Sequence, residues 1–476
     1  MRRTALVLLL AALTAGCARP KPRASSRGLP AGDAVWFEDG VGTDSDRIEE
    51  ALVRGGISTV FVPGARLSRE GVRWRSHELP PPGRPFARVR SILVVDADSA
   101  FGDALGRREA IGPLADAVWL AIKNVFRDMR RYGPVTGVHL DLPFTAASAE
   151  SYGALLSSVR ARLPLPMLLS ISLRFSPSSP EQKEKMKSLA ACDGVLAFLF
   201  GEDNSADPLT VDSLEMPWWA GYSATARGVW QDASGENRRS VPEWILAQLS
   251  DDPRVEFLQN VSLKEESGQT LLLRPRVPIS LGEPYSLRAG DHLSFRQPLL
   301  SDMLFHMRSD MAGRRFARGR VVALAGRSEN ERLFTVAALV DVLTGKPAKP
   351  DLHVVAETAP GSVTVSAENL SPHASVISRT SNWVEIQIPS AGIRDVQPGG
   401  FDRFEVYAAD RTPVTMALAT TVRFYETLIE PFEKIEPARI LVSRPFSKGC
   451  CQTRHHFIAA SGQEVLSDAL PGPGAQ

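Results

Sequence analysis

Two hydrophobic periods alternate along the first two thirds of this chain. Short, nearly unbroken apolar runs occur at residues 34–37, 58–62, 91–96, 135–141, 168–173 and 194–200, with a weaker one at 218–222. Between them lie amphipathic segments at 45–54, 113–132 and 149–163. In the second of these, Leu114, Ala117, Val118, Ala121, Val125 and Met129 share one face at helical spacing. Strands without internal polar alternation are covered on both faces, as in parallel sheets. Strands alternating with helices over this many units predict an α/β fold, a (β/α)₈ TIM barrel. The eighth strand is expected at 320–325, followed by a helix over 330–343 that stops at Gly345. The intervening residues 255–293 carry strand-like pieces but no βα unit. They predict a β-rich insertion, followed by a helix over 299–311.

The pattern changes at Lys346-Pro347-Ala348-Lys349-Pro350, which reads as a linker closing a barrel domain of residues 33–346. Beyond it strands replace helices, at 352–356, 362–367, 383–388, 404–408 and 415–425, with Gly399-Gly400 as a turn. This predicts a smaller C-terminal antiparallel β-sandwich over 351–445, then a tail over 446–476 that ends in Pro, Gly and Ala.

The N-terminus has a separate logic. Arg2 and Arg3 precede an apolar run over 5–13 and then Leu13-Thr14-Ala15-Gly16-Cys17. A charged start, a short apolar core and small residues before one Cys resemble the signal peptide of bacterial lipoproteins. The resemblance implies that residues 1–17 are a signal and that Cys17 is acylated. Residues 18–32, rich in Pro, Arg, Ser and Gly, then form a flexible tether. The absence of Asp at Ala18 and Arg19 favours the outer membrane of the cell envelope. No later run approaches the ~18 apolar residues that span a bilayer, so membrane attachment is expected through the N-terminal lipid only.

Among the 476 residues the formal net charge is +1, which gives no electrostatic reason to expect nucleic acid as a partner. Cys192 stands alone and Cys450-Cys451 are adjacent. Their redox state is open: either of the pair could meet Cys192, or the pair could bind metal beside His455 and His456, although such ligands would be crowded and a structural tail is the simpler expectation. No phosphate loop, G-x-S-x-G elbow or H-E-x-x-H motif occurs, and neither metal nor cofactor is expected.

Barrel enzymes carry their reactive groups at the C-terminal ends of the strands. That rule selects Glu38 and Asp39 after the first strand, Asp96 and Asp98 after the third, and Asp141 at the end of the fourth. Arg174 ends the fifth strand, Glu202 and Asp203 follow the sixth, and Tyr222 follows the seventh. General acid–base chemistry at such a mouth needs a proton donor and a proton acceptor, for which two carboxyl groups facing one bond suffice. Asp141, with Glu38, Asp96 or Glu202 as partner, is the expected catalytic set, although each could equally be a loop or cap carboxylate. His139 points the same way as Asp141 because alternate strand residues share a face. It reads as a core residue or a substrate contact. Trp36, Arg174 and Tyr222 are further candidate substrate contacts, and Trp218 and Trp219 could stack a sugar ring or fill the barrel.

Gly137-Val138-His139-Leu140-Asp141-Leu142-Pro143, Tyr152 to Leu155, Arg160 to Pro164 and Leu169-Ser170-Ile171-Ser172 resemble a family of secreted bacterial proteins labelled a domain of unknown function and allied to TIM-barrel glycoside hydrolases. The resemblance takes in Trp36, the eighth barrel unit and the small β-domain. It implies a barrel that hydrolyses or binds a polysaccharide or oligosaccharide. Two departures leave catalysis open. Many such barrels carry an acid two positions after the fourth-strand Asp, where this chain has Pro143, and the seventh strand ends in Tyr222-Ser223 without an acid. The alternative is a non-catalytic surface lipoprotein that binds glycan or protein.

Overall fold

The computed structural model describes residues 29–177, 179–200, 206–250, 252–263, 268–282, 285–326, 334–388, 392–443 and 451–471. Cys17, Glu202, Asp203 and Cys450, together with most of the expected tether, lie outside the described residues.

Strands β1 (Ala34–Phe37), β2 (Thr59–Glu70), β3 (Arg73–Glu78), β4 (Arg90–Ala97), β5 (Val135–Asp141), β6 (Leu168–Leu173), β7 (Gly194–Phe200) and β8 (Trp218–Ser223) come first in chain order. β9 (Arg227–Gln231), β10 (Arg238–Val241), β11 (Val255–Leu263), β12 (Gly268–Pro275), β13 (Ile279–Ser280), β14 (Ser286–Leu287), β15 (His292–Pro298) and β16 (Ala317–Leu324) follow. The sheet order β1-β16-β8-β7-β6-β5-β4-β2, with β1 also paired to β2, closes a ring of parallel strands. This is the TIM barrel. β3 extends β2 as an antiparallel hairpin arm above the ring.

Two shells of apolar side chains follow from strand parity. Outward residues such as Val35, Val62, Leu93, Leu140 and Ile171 pack against the helices, whereas Ala34, Trp36, Phe61, Ile92, Leu196, Phe198, Trp219 and Val321 fill the interior. The N-terminal end is plugged: Trp219 donates from Nε1 to the Pro30 carbonyl at 3.2 Å, and Arg320 pairs with Asp33.

The insertion between β8 and β16 is larger than the pattern predicted. Its five-stranded antiparallel sheet, ordered β10-β9-β15-β12-β11, begins at Arg227. The polar alternation of β9 and β10 hides them from a search for apolar runs. The helix Leu300–Met311 returns the chain to β16.

The C-terminal region is a β-sandwich. β17 (Leu352–Ala359), β18 (Ser362–Asn369), β20 (Ile393–Gln397) and β23 (Lys434–Val442) form one sheet. β19 (Trp383–Gln387), β21 (Arg403–Tyr407), β22 (Thr421–Tyr425), β24 (Gln452–Ile458) and β25 (Glu464–Pro471) form the other. Val363, Val365, Ile386, Val422, Phe424, Ile440 and Phe457 bury the shared core. The expected tail is therefore corrected: β24 and β25 complete a sheet, with β24 paired directly to β19. His455 and His456 are consecutive on β24 and so face opposite sides. His455 meets Ser467 and His456 meets Glu464, an arrangement that cannot gather both around one metal.

The segment read as a linker is packed rather than loose, with Ala348 fully buried. Ile377 and Ala460 join the barrel's outer core, Gln269 donates to the Ile377 carbonyl at 2.9 Å, and His373 pairs with Asp341 at 3.0 Å.

Candidate functional site

Register places three charged residues side by side at the C-terminal mouth of the barrel. Arg66 of β2 is opposite Asp96 of β4, and Asp96 is opposite Asp141 of β5. Arg66 reaches this position only through an irregularity. The β2–β4 register shifts between Pro63 and Ala65, so Gly64 is the extra residue of a bulge. Phe61 faces the barrel interior, Ala65 packs on the outer layer, and Arg66 returns to the inside. Without the bulge, parity would send Arg66 to the helices.

Each carboxylate has its own arginine. Arg66 donates from Nε and Nη2 to Asp96 Oδ2 at 2.9 and 2.5 Å. Arg174, just past β6, donates from Nη2 to Asp141 Oδ1 and Oδ2 at 3.2 and 3.0 Å, and its guanidinium lies 4.2 Å from the ring centre of Phe198. The other oxygen of Asp96, Oδ1, is buried and has no hydrogen-bond partner. Burial raises the Asp96 pKa, the Arg66 hydrogen bond and charge oppose that rise, and the Asp141 charge adds to it.

Two cavities meet at this pair. A groove of about 1210 Å³ runs over the loops after β4, β5 and β6. Hydroxyl groups of Ser99, Thr145, Ser148, Ser151 and Ser176 line it together with Phe144 and Phe175. A capping box between Thr145 and Ser148 fixes the β5 loop. The second cavity, about 200 Å³, is lined by Trp36, Glu38, Asp39, Pro63, Arg66, Leu79 and Val94. Asp96 and Asp141 border both.

Under the groove, His139 is fully buried and bridges two hydroxyls, Nδ1 to Ser170 and Nε2 to Ser172, each at 2.9 Å. Desolvation lowers its pKa to about 4, so the imidazole is neutral, donating to one serine and accepting from the other.

The structure thus gathers Asp141, Asp96, Glu38, Trp36 and Arg174 around one opening. Glu202 lies outside the described residues. Four candidate substrate contacts are corrected. Trp218 and Tyr222 have the opposite parity to Trp219 and point into the helix layer. Trp218 donates to Asp212 at 2.9 Å and Tyr222 donates to Asp310 at 3.1 Å. Trp219 faces inward but at the plugged end, and His139 is sealed beneath Trp36 and Phe61. Two site residues escaped the sequence reading. Arg66 was hidden by the bulge, although Pro63-Gly64 inside a strand was the available signal. Ser172 lines the groove because it shares the inward face of β6 with Arg174.

No known protein family and no curated protein matches the sequence. Among solved structures, a family GH18 chitinase from Chromobacterium violaceum is 11% identical, with 92% of this chain and 91% of that chain covered and a TM-score of 0.38. A class V chitinase from Nicotiana tobaccum is 13% identical, covering 67% of this chain and 98% of its own at a TM-score of 0.39. An endo-beta-1,4-mannanase from Thermotoga petrophila is 8% identical, covering 94% and 98% at a TM-score of 0.32. The barrel assignment rests on the closed ring of strand pairings rather than on these likenesses.

Proposed function

We propose that the barrel mouth is a saccharide-binding cleft in which Asp96 and Asp141 act together on a glycosidic bond. The observation that carries this reading is the placement of the two carboxyl groups on adjacent strands, in register, at the junction of the two cavities. Neighbouring strands lie about 4.8 Å apart, which suits a pair that faces one bond from two sides. Asp96, with its pKa raised and Oδ1 bare, supplies the proton to the leaving oxygen. Asp141, oriented by Arg174, meets the positive charge that develops on the sugar. The hydroxyl-lined groove provides donors and acceptors for a polar chain, and Phe144 and Phe175 provide apolar surface for ring faces.

A second reading has its own support. Both carboxylates are ion-paired, and Pro143 borders the groove where related barrels carry an acid. On that reading the cleft binds glycan without cleaving it. Incubating the protein with a panel of bacterial and plant oligosaccharides separates the two. New reducing ends support hydrolysis, binding without products supports the receptor reading, and neither binding nor products removes the saccharide function.

Cys17 belongs to the same proposal: acylation there would hold the barrel at the cell envelope, at the outer membrane. The described residues contain no helix long and apolar enough to cross a membrane. Fractionation of a Cys17→Ser variant tests it. Loss from the membrane fraction is expected, and unchanged fatty-acid labelling would contradict it.

A further inference from the structure

The two cavities at the carboxyl pair differ about sixfold in volume, roughly 1210 against 200 Å³. The large one is an open groove on the β4–β6 side. The small one ends against a wall on the β1–β3 side. That wall is held by two backbone hydrogen bonds. Leu79 donates from its amide to the Gly64 carbonyl at 3.0 Å, which sets the Leu79 side chain against the pocket. The proline-rich loop after it is seated on the β1 loop: Gly83 donates to Gly42 O at 2.8 Å, and a Cβ at Gly83 would lie 2.8 Å from that same oxygen. Trp36, almost fully buried beneath the pocket, forms part of its floor. Asp39 is fixed by the Gly326 amide at 2.9 Å. The carboxyl pair therefore stands between a long groove and a small pocket bounded by Trp36 and Leu79.

We propose that the barrel takes a saccharide chain by its end. One terminal residue occupies the small pocket, the linkage to the next lies between Asp96 and Asp141, and the remaining residues extend along the hydroxyl-lined groove. This rests on the saccharide reading above and adds to it a mode of action. Cleavage consumes one water, breaks the terminal glycosidic bond and releases a single residue, with the proton delivered to the leaving oxygen restored from that water. A pocket of about 200 Å³ bounded by Trp36 and Leu79 has room for one sugar residue, so the terminal linkage is the one that it places between the carboxyl groups. If the cleft only binds, the same wall makes it a reader of chain ends.

The test uses linear β-linked oligosaccharides of N-acetylglucosamine, glucose and mannose in increasing lengths, with copies blocked at both ends. The proposal expects single residues as the first product at every length, affinity per chain that does not grow once the groove is filled, and loss of binding to the doubly blocked copies. Leu79→Trp, which fills the pocket and leaves both carboxyl groups in the chain, is expected to lower turnover or affinity about tenfold or more at unchanged melting temperature. Internal fragments as first products, or undiminished binding of blocked chains, would overturn the proposal while leaving the saccharide reading standing. Neither binding nor cleavage of any oligosaccharide would overturn both.

Discussion

Arg66 spends two of its donors on a single oxygen of Asp96 and leaves the other oxygen, buried, without a partner. The pair therefore balances two opposing effects: burial favours the neutral acid and the guanidinium favours the carboxylate. Removing the arginine leaves burial and the Asp141 charge, both acting upward. Arg66→Ala is expected to raise the Asp96 pKa further, seen as a shift of the Asp96 carboxyl carbon titration to higher pH. A shift to lower pH would contradict the assigned balance.

The bulge at Gly64 makes its own prediction. Deleting Gly64 removes the extra residue, so Pro63 and Ala65 become neighbours and Arg66 stays opposite Asp96 in an unbroken register. The Asp96 titration of this variant should stay parent-like, unlike that of Arg66→Ala, with the barrel shown to be folded by circular dichroism. A titration that matches Arg66→Ala would show that Arg66 has turned outward and would contradict Gly64 as the extra residue.

His139 supplies a pH signature. Its pKa is about 4 in the folded protein, against 6.5 ordinarily, because burial disfavours the imidazolium. Below 6.5 the unfolded chain gains a proton that the native state refuses, so stability is full above that value and declines as pH falls toward 4. A displacement of this size corresponds to about 3 kcal/mol. His139→Gln, which can still donate to and accept from Ser170 and Ser172, should flatten the difference in stability between pH 7 and 4, measured by denaturant unfolding. A parallel pH profile in the variant would exclude His139 as the source.

Much of this architecture was legible in the sequence. Apolar runs such as Val138 to Leu140 and Leu169 to Leu173 are buried on both faces, so they announced parallel strands directly. Asp141 stood out because it ends such a run. Arg66 did not, because a one-residue bulge reverses parity, and no periodicity records a bulge except through Pro63-Gly64. Trp218 and Trp219 looked equivalent as neighbours, yet consecutive strand residues face opposite ways and both are structural. The final strands were missed for another reason: β24 carries Arg454, His455 and His456, polar residues that cover a sheet face rather than mark a tail.

The contact between barrel and sandwich yields a further prediction. Gln269 is nearly buried and satisfies the Ile377 carbonyl, and both lie where the two units meet. Gln269→Leu removes that hydrogen bond and should cost about 1 kcal/mol. Because Ile377 and Ala460 belong to the barrel's outer core, calorimetry should show one transition that shifts as a unit. Separate transitions, with only one displaced, would mean the units unfold independently.

That Asp96 and Asp141 work as a pair is tested most directly by glycosidic-bond cleavage with Asp96→Asn and Asp141→Asn beside the parent, with melting temperatures recorded for all three. Each amide keeps the shape and removes the acid. Each variant is expected to lose about 10²–10⁴-fold in turnover, to stay folded and still to bind the oligosaccharide. Parent-like turnover in either stable variant, or the absence of turnover in the parent on every saccharide that it binds, would contradict it.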